Sequence, residues 1–227
     1  MNSGFFVTGT DTGVGKTLIS AALMIRLARD GTRVAGMKPV ASGCARTAQG
    51  LRNDDALLLA ASSTVVSDYD LINPFAFEPA VAPHLAAQDA GVAIDSERIM
   101  DAFRTLAGTV DQVVVEGVGG WLVPIGGRLT MADVARRMQL PVILVVGVRL
   151  GCINHALLTE AAVTGAGLRL AGWVANRIDR ACERADEVVD ALRQRLHAPL
   201  LGDVPWMASP LPERVAGYLR GCPQSVS

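Results

Sequence analysis

The chain has 227 residues, of which 50% are hydrophobic and 19% charged, enough apolar material for one sizeable α/β domain over 1–227 and no block suited to disorder. A formal net charge of -1 with scattered arginines gives no basic stripe for nucleic acid, and no apolar run approaches the roughly 20 residues of a membrane span. Cys44, Cys152, Cys182 and Cys222 lie far apart without a C-x-x-C pair, so neither zinc site nor disulfide framework is signalled, and with no basic leader before the first strand a cytoplasmic protein is expected.

Phe5-Phe6-Val7 predicts a buried strand and residues 18–25 a helix. Between them Thr8-Gly9-Thr10-Asp11-Thr12-Gly13-Val14-Gly15-Lys16-Thr17 reads as a phosphate-binding loop. Its backbone N–H groups and the free N–H groups of the first helical turn form an anion site. Gly13 and Gly15 let the backbone take positive φ, Lys16 meets β/γ oxygens, and Thr17 offers a hydroxyl to magnesium. The strict G-x-x-x-x-G-K-[ST] pattern has glycine at position 10; here that glycine is one residue early, at Gly9.

The first helix should stop near Gly31, and residues 33–38 form a strand closed by Pro39. Lys16 and Lys38 are the only lysines in an otherwise arginine-based chain, which marks both as site candidates. Both fall at carboxyl ends of strands, where open parallel sheets bind ligands, with Lys38 expected on the strand neighbouring the phosphate loop. Val40-Ala41-Ser42-Gly43 reads as a loop presenting Ser42. Asn53-Asp54-Asp55 starts a helix through Ala61, and either aspartate suits a cap or a site carboxylate. Residues 68–95 read as a proline- and alanine-rich excursion walling a pocket, with His84 in a loop and facing structure or solvent.

A helix from Asp95 leads to a buried strand over 111–116. Glu116 at its tip suits a magnesium ligand, and Gly117-Val118-Gly119-Gly120 lets backbone approach phosphates. A helix over 130–139, a strand over 142–146 and a helix opened by Gly151, Cys152, Ile153 and Asn154 follow; that opening is a second potential anion site, beside which His155 packs. A strand over 170–176 carries Asn176, a donor and acceptor for a base edge, at its tip. A charged helix over 182–196, a last strand from Leu200 and a helix near 213–219 complete the chain. Six strands alternating with helices imply a three-layer α/β/α fold with a mainly parallel central sheet.

These segments resemble the dethiobiotin synthetase family over nearly the whole chain: the phosphate loop, Lys38-Pro39-Val40-Ala41-Ser42-Gly43, Leu51-Arg52-Asn53 with Asp55-Ala56, Val115-Glu116-Gly117 with Gly119-Gly120-Trp121, residues 141–148 and 150–156, 171–176, and Pro205-Trp206. The resemblance implies a phosphate-loop NTPase-like ligase. It would close the ureido ring of dethiobiotin from 7,8-diaminopelargonate, CO2 or bicarbonate and ATP with Mg2+, through a carbamate and a carbamic-phosphoric anhydride. It further implies catalysis by Lys38 and Lys16, and metal ligation by Thr17, Asp55 and Glu116. Nucleotide contacts would come from Gly13, Val14, Gly15, Lys16, Thr17, Leu18, Asp55, Glu116, Gly117, Val118, Gly119, Asn176, Arg177, Pro205, Trp206 and Met207. Substrate would meet Thr12, Lys38 and Ser42, with its carboxylate at Gly151, Cys152, Ile153 and Asn154 across a homodimer interface. Two departures stand out: Gly13 occupies a position that carries glutamate in one branch of the family, and the spacing around Glu213 is altered. The alternative is a deviant phosphate-loop switch ATPase of the partitioning or cell-division type; its signature lysine falls at position 11, which here is Asp11.

Overall fold

A computed structural model describes residues 4–220, so Cys222 lies outside the described residues. Six strands form the central sheet: β1 (Gly4–Gly9), β2 (Val34–Met37), β3 (Gln112–Glu116), β4 (Val142–Gly147), β5 (Leu170–Asn176) and β6 (Leu200–Val204). Their order is β6-β5-β4-β1-β3-β2, and every pairing is parallel.

Burial on both faces explains why the strands read as continuous apolar runs. Phe5 and Val7 point to a cluster with Ile19, Leu23 and Leu27 of α1 (Lys16–Arg29) and Leu59 of α2 (Asp54–Ser62). Phe6 points to the opposite face, where α3 (Ser96–Ala107) and α4 (Met131–Met138) pack with Val113 and Val115. On that same face Leu144 and Val146 of β4 meet α5 (Cys152–Gly165) and α6 (Ala185–Arg195). The result is the expected three-layer arrangement.

Several expectations need correction. β2 is not beside β1: β3 lies between them, so Lys38 comes from the next strand but one. This puts Glu116 between the two lysine-bearing edges. Val40–Ala41 is not plain loop but a two-residue strand paired in parallel with Phe75–Ala76, which anchors the 68–95 excursion. His84 belongs to a short helix, Pro83–Asp89, with Pro83 in its first turn. The helix expected from Cys182 begins at Ala185, because Arg184 takes a left-handed φ of 59° that interrupts helical geometry. Near the end, Pro212–Val215 is helical and Ala216–Tyr218 continues as a 3-10 turn.

Candidate active site

The phosphate loop leaves β1 and enters α1 with Gly13 at φ 73° and Gly15 at φ 88°, both left-handed. The displaced glycine has a steric reason. A Cβ on Gly9 would lie 2.7 Å from the Val14 side chain and 3.1 Å from Lys16 Cγ, so the loop folds back over position 9. Gly15 is constrained further, since a Cβ there would meet Asn176 Nδ2 at 2.2 Å.

Four expected residues converge at the carboxyl end of the sheet. Lys38 Nζ donates to Glu116 Oε1 at 2.5 Å, to Asp55 Oδ2 at 2.9 Å and to the Gly117 carbonyl at 3.4 Å. Thr17 Oγ1 donates to the same Glu116 Oε1 at 2.9 Å. Asp55, not Asp54, therefore enters the cluster, while the α2 cap is Asn53, whose side chain accepts from Ala56 N–H. Lys38 and Glu116 are buried. Burial alone pushes the Lys38 ammonium down, but Glu116 and Asp55 outweigh it and hold the group above the ordinary lysine value. Burial drives the Glu116 carboxyl up against the pull of Lys38, whereas at Asp55 the attraction of Lys38 outweighs burial and holds the acid low.

Lys16 donates to the Asp11 carbonyl at 2.9 Å. Burial, and then the like charge of Lys38, lower its pKa to about 8. This has a sign that can be read in solution. Below about pH 8 the ammonium is charged when phosphates arrive; above it the free protein must take up a proton to bind them. The dissociation constant for ATP should then rise by up to about tenfold per pH unit beyond that point. Nucleotide titration by calorimetry across this range checks it; a flat profile would show that Lys16 is not the group that meets the phosphates.

Beside this cluster a cavity of about 490 Å³ is lined by Thr17, Asp55, Asn176, Arg177, Trp206 and Met207 among others. Asn176 reaches both ways: its Nδ2 donates to the Val14 carbonyl at 2.8 Å, tying β5 to the phosphate loop. Arg177 is held by Asp203 through Nε at 2.9 Å and Nη2 at 2.8 Å, and also pairs with Asp186 at 2.7 Å. Leu18 and Pro205 also line this cavity, together with Pro210. Glu213 instead sits on the helix at 212–215, where its carbonyl accepts from Arg29 at 3.4 Å.

The remaining expected residues stand outside the lysine cluster. Thr12 is exposed at the loop tip, close to Gly119, and Ser42 is half-buried and makes no hydrogen bond among the described residues. Gly151 has φ 91° and opens α5, Cys152 is buried, and Asn154 and His155 are exposed. His84 is partly buried, with Nδ1 unpartnered.

Sequence reading missed a polar chain behind the site. Buried Asn73 donates through Nδ2 to the Lys38 carbonyl at 2.7 Å, its Oδ1 accepts from the Tyr69 hydroxyl at 3.2 Å, and that hydroxyl accepts from Asn53 N–H at 2.8 Å. It links the backbone of Lys38 to the cap of the helix carrying Asp55. Asp203, which clasps Arg177, was also missed; its place at the end of β6 was the available signal.

The donor set fits a hard cation. Glu116 Oε2 is buried without a hydrogen-bond partner, beside the Thr17 hydroxyl and the Asp55 carboxylate. No group of three or more His, Cys, Asp or Glu side chains suited to a metal occurs among the described residues.

Residues 3–214 match a family model described as an AAA domain. The ATP-dependent dethiobiotin synthetase BioD of Pseudomonas paraeruginosa is 55% identical over 216 residues, covering 95% of each chain. The protein of the same name from Xanthomonas euvesicatoria pv. vesicatoria is 54% identical over 202 residues, covering 89% of this chain and 90% of its own. Among solved structures, the MinD cell division protein of Aquifex aeolicus superposes with a TM-score of 0.55 at 19% identity, covering 91% of this chain and 83% of that one. A ParA family ATPase from Chlorobium tepidum gives 0.53 at 16% identity, with 91% and 85% covered. At that identity the likeness speaks for the phosphate-loop fold alone.

Proposed function

The chain belongs to the family of ATP-dependent dethiobiotin synthetases, which are ligases, and from that membership we propose that it closes a ureido ring on 7,8-diaminopelargonate with CO2 and ATP. The observation that carries the reading is the buried Lys38 ammonium, held by Asp55 and Glu116 and close enough to Lys16 to depress its pKa. Two cations set side by side suit a reaction in which a carbamate and a phosphoryl group come together as anions.

In this reading one substrate amine adds to CO2 to give the carbamate, which Lys38 orients and neutralises. Lys16 and the loop N–H groups hold the β/γ oxygens of ATP while the carbamate oxygen takes the γ-phosphoryl group. The second amine then attacks the activated carbonyl, phosphate departs, and the ring closes. Thr17, Asp55 and Glu116 would hold magnesium, which when bound neutralises phosphate oxygens. Thr12 and Ser42 flank the diamine, and Asn176, Arg177, Pro205, Trp206 and Met207 shape the base pocket.

The substrate carboxylate is assigned to the start of α5 in a homodimer. Exposed Leu150 and Leu158 beside and on that helix, 99% and 60% accessible, support a partner there. No helix among the described residues is long and apolar enough to cross a membrane. From the family membership we also assign a cytoplasmic location and action as one domain. The test is incubation with ATP, magnesium, the diamine and carbon-labelled bicarbonate. Label should appear in an acid-stable ureido product with stoichiometric ADP; ATP hydrolysis without labelled product would contradict the reading.

A further inference from the structure

Arg149 lies just past the carboxyl end of β4, ahead of α5, and its Nη2 pairs with the Asp11 carboxylate in the phosphate loop. Asp11 also accepts the Lys16 ammonium on its carbonyl at 2.9 Å and the Thr12 N–H on its carboxylate at 2.7 Å. One loop residue thus joins the cation that meets phosphate to a second cation delivered from another loop. The Arg149 side chain has no other hydrogen-bond or ion-pair partner among the described residues.

The pair is half-exposed on both sides, with side-chain accessibilities of 44% and 45%. Exposed pairs of that kind contribute little to stability, so this one is a weak clasp that phosphate oxygens can displace. The charge balance points the same way. Lys16, Lys38 and Arg149 face Asp11, Asp55 and Glu116, and Lys38 is already engaged by two carboxylates. A nucleotide and a carbamate then find Lys16 alone without a carboxylate partner, its ammonium resting on the Asp11 carbonyl. A guanidinium stays charged throughout and offers a planar fork matched to phosphoryl oxygens.

We propose that Arg149 is a further catalytic residue, whose guanidinium leaves Asp11 and takes up oxygens of the γ-phosphoryl group as it passes to the carbamate. In that step a bond forms between the carbamate oxygen and the γ-phosphorus. The bond from that phosphorus to the β,γ-bridging oxygen breaks, and its electron pair leaves with ADP. Arg149 neither gains nor loses a proton. The inference rests on the ring-closure reading.

The test compares Arg149→Ala, Arg149→Lys, Asp11→Asn and the double variant in the full-length protein. Arg149→Ala should lower kcat about a hundredfold, with the affinity for ADP and the thermal midpoint unchanged. Arg149→Lys should regain part of the rate. Asp11→Asn, which frees the guanidinium, should lose far less than Arg149→Ala. If the two single variants and the double variant all fall equally, the pair is only a structural latch and the inference fails; it fails also if Arg149→Ala keeps its rate. Absence of labelled ring product from the unaltered protein would defeat the ring-closure reading, and the inference with it.

Discussion

Lys38→Ala should reduce kcat by about a hundred- to a thousandfold while leaving ADP affinity nearly intact, because one preorganised cation at a developing anion is worth that much. The ammonium is buried at 3% exposure and fixed in place by three acceptors. It lies just past the carboxyl end of β2, two strands from β1 and its phosphate loop, within hydrogen-bond reach of Glu116 and Asp55, not of the loop carbonyl that holds Lys16. Removing it also leaves Glu116 buried without its counter-charge, and breaking a buried pair in this way costs about 3–5 kcal/mol of stability. Rates and ADP titrations must therefore be read below the lowered thermal midpoint. Lys38→Arg should not rescue, because the planar guanidinium does not fit a closed site shaped around one ammonium. Equal loss of ADP affinity and of kcat would place Lys38 on the nucleotide instead.

Glu116→Gln is the second large effect. The carboxylate joins Thr17 to Lys38 through Oε1 and keeps Oε2 buried and unpartnered. An amide of the same shape can keep both bonds through its carbonyl oxygen, but it carries no charge toward a cation and sets an NH2 donor where the free Oε2 stood. The magnesium concentration for half-maximal rate should rise at least about tenfold, with kcat restored only in part at saturation. Lys38 should titrate lower, since the buried acid that holds it up is gone. An unchanged magnesium requirement would show that Glu116 serves the lysine alone.

The strand tips were legible in the sequence because buried parallel strands read as apolar runs ending abruptly in polar residues. Lys38, Glu116 and Asn176 each stand at such an end, and the Gly-Lys-Thr step opens α1 as its pattern requires. The strand order was not legible. Nothing local in residues 111–116 says that they insert between β1 and β2, yet that insertion is what gives both Lys38 and Thr17 one shared carboxylate. The pairing of Val40–Ala41 with Phe75–Ala76 depends on a contact between distant segments, and the small hairpin of Ala45–Thr47 with Gly50–Arg52 is too exposed to show apolar alternation. The same holds for Asn73 and Tyr69: a polar residue in a proline-rich stretch signals a turn, and only the fold shows that its amide carries the Lys38 carbonyl. Local pattern thus located individual side chains, while long-range register decided which of them meet.

In the proposed reaction the γ-phosphoryl group passes to a carbamate oxygen held by Lys38, and the fate of oxygen from bicarbonate fully labelled with oxygen-18 reports that transfer. One labelled oxygen is expected in the inorganic phosphate released per ring closed. Phosphate carrying only solvent and ATP oxygens, in a reaction that still makes the ring, would contradict it.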